Sequence, residues 1–212
     1  MNNINFTSIR DLIIIMRIAC DIDGVLLDTV ITFCEIFNKK NGTSYQKSDV
    51  TKWEFFLDWN IPEDDIWDIF FQIYEDSMST PFIDDQIPVI MKDLNQMHQV
   101  SIVSARTPEY REYILEKLQY HGILQGPHYN ELVLLIHKPY DLKIKQDFDV
   151  FIDDNPKLAE AINKQKKKIL LLYDQPWNQE IDDAENVIRV KNWTEIDQYF
   201  KKVEKNEDNN EL

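Results

Sequence analysis

Ile18-Ala19-Cys20-Asp21-Ile22-Asp23-Gly24-Val25-Leu26-Leu27-Asp28-Thr29 is an apolar run that stops at two carboxylates spaced one residue apart. Carboxylates at the end of a buried strand cost stability unless a cation or hydrogen-bond donors compensate them. In an open parallel sheet, ligands bind outside the carboxyl ends of the strands, so Asp21 and Asp23 stand where a site is expected. Gly24 lets the chain turn sharply and lets a ligand approach the backbone. A surface Asp-x-Asp-Gly turn would carry the same letters, since Asp and Gly are ordinary turn residues. A second acidic strand end shifts the balance: Asp149-Val150-Phe151-Ile152-Asp153-Asp154-Asn155-Pro156 is again a short apolar run closed by paired carboxylates. Two such ends can hold a hard divalent cation through oxygen ligands, as Mg²⁺ is held beside a phosphate. Between them, Val100-Ser101-Ile102-Val103-Ser104-Ala105-Arg106-Thr107-Pro108 reads as a third strand. Its end offers a hydroxyl, backbone amides and a guanidinium to phosphate oxygens, and Pro108 suits the first turn of a following helix.

Strand-like runs at 17–21, 100–104, 132–136, 149–153, 169–173 and 187–190 alternate with segments of helical spacing such as 84–98 and 108–120. That alternation predicts an α/β fold with a doubly wound parallel sheet. The interval from Thr29 to Pro88 has helical patterns and no buried strand, so it reads as a small helical cap inserted after the first strand. The expected organisation is a core over 16–28 and 88–200, a cap over 29–87, an N-terminal extension over 1–15 and a frayed, disordered tail over 201–212. Within the cap, Trp53, Phe55, Phe56, Trp59, Trp67, Phe70, Phe71 and Tyr74 form a dense aromatic segment. Most of it is expected to be the cap's own core. One or two rings above a phosphate site could stack on a base or sugar, with Phe33, Trp53 and Phe55 as candidates.

The chain has 212 residues, 43% hydrophobic, with a formal net charge of −15. It is long enough to bury a proper core. The charge argues against nucleic acid polymers and anionic membranes as partners. Cys20 and Cys34 have no metal or redox spacing and read as small core residues, in keeping with a cytoplasmic protein. Leu12-Ile13-Ile14-Ile15 is too short to span a bilayer, and Met16 is as plausible a start as Met1. His98, His121, His128 and His137 show no ligand spacing.

The ordered set of Asp21-Ile22-Asp23-Gly24, Ser104 within Ser-Ala-Arg-Thr, and Asp153-Asp154 resembles the haloacid dehalogenase superfamily of phosphatases over about residues 17–175. Pro81-Phe82, Pro88 and the string from Leu171 to Asn178 look like its cytosolic 5′(3′)-deoxyribonucleotidase group. The resemblance implies a Mg²⁺-dependent phosphomonoester hydrolase acting on nucleoside monophosphates through an aspartyl-phosphate. Asp21 would be the nucleophile and Asp23 the general acid and base. The metal would be taken by Asp21, the backbone carbonyl of Asp23 and Asp153, with Asp154 behind them. Ser104, Ala105, Arg106 and Lys138 would bind the phosphate, Arg106 alternatively pairing with cap acids. Lys138, at the end of the strand 132–136, fits the neutralising lysine better than Lys143 or Lys145 further along the helix. Ser-Ala-Arg-Thr departs from the Thr-Ser-Pro form of the group's better-known members, which leaves the substrate open. A sugar phosphate or other small metabolite, phosphoryl transfer to an acceptor other than water, and noncatalytic binding stay as alternatives. Oligomeric state is not readable, although a homodimer would be in keeping with the group.

Overall fold

The computed structural model describes residues 15–135, 139–165 and 167–209. Its six strands are β1 (Arg17–Cys20), β2 (Gln99–Ser104), β3 (Glu131–Leu134), β4 (Val150–Asp153), β5 (Ile169–Tyr173) and β6 (Val187–Val190). They form one parallel sheet in the order β3-β2-β1-β4-β5-β6. The helices are α1 (Thr29–Asn41), α2 (Phe55–Asp58), α3 (Glu63–Glu75), α4 (Ile87–Met97), α5 (Arg111–Tyr120), α6 (Pro139–Lys145), α7 (Pro156–Ile162) and α8 (Trp193–Asn209). The doubly wound parallel architecture is therefore as the alternation predicts.

Side chains of successive strand residues face opposite ways. Ile18, Cys20, Ile102 and Ile152 pack with Met91 and Leu94 of α4, Ile114 and Leu118 of α5, and Trp193, Ile196 and Phe200 of α8. Ala19, Val103, Phe151 and Leu172 face the other layer, with Leu158, Ala159 and Ile162 of α7. Burial on both faces is what apolar parallel strands require.

The strand order reverses direction at β1, so the crevice between β1 and β4 is the topological switch point of the sheet. Cys20 lies opposite Ile152, and the Asp21 amide donates to the Ile152 carbonyl at 2.9 Å. The next residues on the two strands, Asp21 and Asp153, therefore emerge side by side.

The chain leaves for the cap at Asp28, whose amide donates to the Pro81 carbonyl at 2.8 Å. It comes back where the Ile83 amide donates to the Leu26 carbonyl at 3.0 Å. The insertion thus closes by Pro81–Ile83, short of the boundary at 87 read from sequence, and α4 already belongs to the core. Inside the cap, α1 packs on α3 around Phe33, Phe37, Phe55, Ile66, Ile69 and Ile73. Trp177, from the segment after β5, enters the same cluster and joins cap to core.

The expected tail is corrected. Residues 201–209 continue α8, held by buried Phe200 and by an i,i+4 pair between Lys201 and Asp197 at 2.6 Å. The N-terminal extension through residue 14, and 210–212, lie outside the described residues. Among the described residues no helix is long and apolar enough to cross a membrane.

Candidate active site

Asp21, Asp153 and Asp154 converge at the mouth of the switch point, each offering a carboxylate oxygen within 4.8 Å of the others. The Lys143 ammonium lies between two of them, 3.0 Å from Asp21 Oδ1 and 2.6 Å from Asp153 Oδ2. Asp153 Oδ1 accepts the Asn155 amide at 3.0 Å, and Asn155 caps α7 by accepting from the Lys157 amide at 2.9 Å. Asp154 Oδ2 accepts from the Trp177 indole at 3.0 Å. Asn178 Nδ2 donates to the Asp154 carbonyl at 2.9 Å, fixing the strand end.

Three carboxylates share one ammonium, and the electrostatics record the excess. Burial lifts the Asp21 carboxyl from its ordinary 3.8 to about 7, against the pull of Lys143. Burial also holds Asp154 well above the usual carboxylate range, with Asp153 and Asp21 adding to the effect. Burial alone would lower the Lys143 ammonium, but Asp153 and Asp21 outweigh it and hold the proton on. An all-oxygen, over-acidic, enclosed cluster of this kind suits a hard divalent cation.

Gly24 makes the geometry possible. Its φ is +78°, and a Cβ there would lie 2.0 Å from Asp154 Oδ2 and 2.6 Å from its Cγ. Only glycine lets the loop after β1 lie against the acidic cluster. Gln175 Nε2 pins that loop by donating to the Gly24 carbonyl at 2.6 Å.

The Asp23 carboxylate has its own partners, Arg106 and Thr29. Its Oδ2 accepts Arg106 Nε at 3.0 Å, and its Oδ1 accepts Arg106 Nη2 at 2.7 Å and the Thr29 hydroxyl. Burial favours the neutral acid, but Arg106 and Thr29 outweigh it and hold Asp23 below its usual value. Arg106 is itself buried, so its guanidinium is committed to Asp23 and is not free at the mouth as the sequence suggested. The Ser104 hydroxyl oxygen accepts the Arg106 amide at 3.1 Å, leaving the hydroxyl proton to donate and taking that amide from the expected set of phosphate donors. Ala105 is exposed between them.

Lys138 lies outside the described residues. Among the described residues Lys143, ranked second from sequence, reaches Asp21; it is returned to the strand ends by α6. The candidate stacking rings divide as well. Phe33 and Phe55 are buried and edge-to-face at 5.2 Å, so packing assigns them to the cap core. Trp53 is exposed, and its neighbour Glu54 pairs with Lys157 at the start of α7, beside the acidic cluster. Ser77, Tyr74 and Trp177 carry no local signal as contributors, because their partners lie more than 20 positions away, and Thr29, six positions from Asp23, is an ordinary helix-start residue in the sequence.

The family described as 5′ nucleotidase, deoxy (pyrimidine), cytosolic type C protein matches residues 14–205. The chain belongs to that family. It is a phosphomonoesterase of the haloacid dehalogenase type, with an aspartate nucleophile. No curated protein matches it. Among solved structures, a haloacid dehalogenase-like hydrolase from Streptococcus pneumoniae superposes with a TM-score of 0.61 at 15% identity, covering 88% of this chain and 98% of that one. A haloacid dehalogenase-like protein from Agrobacterium tumefaciens gives 0.62 at 12%, covering 89% and 99%. The hydrolase YfnB from Bacillus subtilis, bound to magnesium, gives 0.51 at 10%, covering 87% and 98%. At these identities the superpositions establish the shared fold.

Proposed function

We propose that the chain is a Mg²⁺-dependent nucleotidase that hydrolyses deoxyribonucleoside monophosphates, with Asp21 as nucleophile and Asp23 as acid and base. The observation that carries this reading is Asp21 at the switch point with Lys143 3.0 Å away and two further carboxylates beside it. Asp21, Asp153 and Asp154 would hold the cation, which when bound neutralises phosphate oxygens and keeps Asp21 ionised.

One Asp21 oxygen attacks phosphorus as the bond from phosphorus to the ester oxygen breaks. The electron pair leaves on the alkoxide, which takes a proton relayed through Asp23 from the substrate's monoanionic phosphate, since Arg106 and Thr29 keep the resting Asp23 carboxylate ionised. Water then attacks the aspartyl-phosphate, Asp23 takes its proton, and the bond from phosphorus to Asp21 breaks to release inorganic phosphate. Lys143 steadies Asp21 in both halves, and the Ser104 hydroxyl donates to a phosphate oxygen. Of the three candidate rings, Trp53 is the exposed one and would stack on the base. The free, buried thiols of Cys20 and Cys34 support a cytosolic location.

The test is phosphate release from a panel of deoxyribonucleoside, ribonucleoside and sugar monophosphates, with Mg²⁺ and with chelator, in wild type, Asp21→Asn and Trp53→Ala. Release that is metal-dependent, strongest on deoxyribonucleotides and abolished by Asp21→Asn is expected. Trp53→Ala should raise KM for nucleotides about tenfold, the worth of one stacked base. Release confined to sugar phosphates would refute the substrate, and activity surviving Asp21→Asn would refute the nucleophile.

A further inference from the structure

We infer that Arg106 is a positioning residue that orients the Asp23 carboxylate and ties it to the returning arm of the cap. This deepens the proposed function and rests on the acid and base role given there to Asp23. Arg106 follows β2 in the core, yet each part of its guanidinium is used. Nε and Nη2 grip both Asp23 oxygens at 3.0 and 2.7 Å. Nη1 donates to the Ser77 hydroxyl at 2.8 Å, and the guanidinium lies over the Tyr74 ring, 4.4 Å from its centroid. Tyr74 lies in the last turn of α3 and Ser77 begins the turn that leads the chain out of the cap. The Ser77 hydroxyl is held in turn by the Tyr74 carbonyl at 3.0 Å.

A two-pronged pairing fixes the plane of a carboxylate, which a single lysine contact does not. A buried cation over an aromatic ring adds a second constraint on the same guanidinium. The Thr29 hydroxyl, where the chain enters the cap, reaches Asp23 Oδ1 as well. Both arms of the cap therefore meet at the acid and base group, and movement of the cap is transmitted to Asp23 through Arg106.

The experiment compares kcat/KM for two phosphate esters with Mg²⁺ present. A nucleoside monophosphate releases an alkoxide that needs a proton, whereas p-nitrophenyl phosphate releases a phenolate that leaves without one. Arg106→Lys keeps the charge and loses the fork. It should lower kcat/KM about 30-fold or more on the nucleotide and less than about threefold on the aryl ester, within the range that positioned acid catalysis supplies. Ser77→Ala, which deletes only the Nη1 acceptor, should show the same leaving-group bias at about three- to tenfold. It keeps the test intact if Arg106→Lys does not fold.

Parallel losses on both esters would overturn the inference in favour of a purely structural pair. An unchanged ratio with a raised inhibition constant for inorganic phosphate would overturn it in favour of direct phosphate binding. A wild-type protein that hydrolyses neither ester, or in which Asp23→Asn is silent, would instead sink the underlying functional reading.

Discussion

Replacing Lys143 with methionine removes the ammonium while keeping a side chain of similar reach. The Nζ atom lies 3.0 Å from Asp21 and 2.6 Å from Asp153. With an effective dielectric near 20, those separations correspond to attractions of about 5.5 and about 6.4 kcal/mol. Dehydration of the buried ammonium offsets much of that sum. Removal of one partner from a buried pair is measured at about 3–5 kcal/mol, because the other charge is left without compensation. Lys143→Met should therefore destabilise the metal-free protein by about 3–5 kcal/mol in urea unfolding. The loss should grow as pH rises toward 8, because without Lys143 the carboxyl of Asp21 is pushed up further and its protonation, which relieves the repulsion, becomes progressively more costly. Mg²⁺ should restore much of the stability, since a divalent cation supplies the missing positive charge to the same acids. It should not restore turnover, which is expected to fall at least about 100-fold, or about 2.7 kcal/mol in the barrier. Unfolding free energy within about 0.5 kcal/mol of wild type, together with near-normal turnover, would refute the role of Lys143. A larger loss of turnover in Lys138→Met than in Lys143→Met would hand that role to Lys138.

Gly24→Ala places a methyl group 2.0 Å from Asp154 Oδ2 at a φ of +78°. Left-handed strain and overpacking together should cost about 2–4 kcal/mol in denaturant unfolding, and Mg²⁺ affinity by calorimetry should drop as Asp154 is displaced. Unchanged stability and metal affinity would show that the loop shifts freely. In metal-free protein, the folded-state value of Asp21 is raised from 3.8 to about 7, so the folded state binds more protons than the unfolded chain across that window. That contribution to stability is complete below about pH 4 and lost as pH rises through 7. Thermal unfolding with and without Mg²⁺ should accordingly show a larger stabilisation by metal at pH 8 than at pH 5. Equal shifts at both pH values would mean that protons and metal do not compete at this site.

Asp21, Asp23, Gly24, Asp153, Asp154 and Ser104 were legible in the sequence because each sits where an apolar run ends. The strand direction alone carries such residues to one edge of a parallel sheet. The alternation of strand and helical spacing likewise sufficed for the core, and the unbroken helical interval after β1 sufficed for the cap. What the sequence could not rank were choices that depend on distant partners. Lys138 and Lys143 are both plausible neighbours of a strand end, and only the course of α6 brings Lys143 to within 3.0 Å of Asp21. Arg106 had a motif position suited to phosphate, but Asp23, 83 positions away, holds it. Phe33 and Phe55 have the same letters and spacing whether they line a pocket or fill a core, and burial decides between the two. The polar C-terminal residues read as a tail, yet one buried ring at Phe200 anchors the helix that carries them. Local chemistry is written along the chain. The pairing of charges and the burial of rings are set by tertiary contact, which places residues far apart in sequence within a few ångströms of each other.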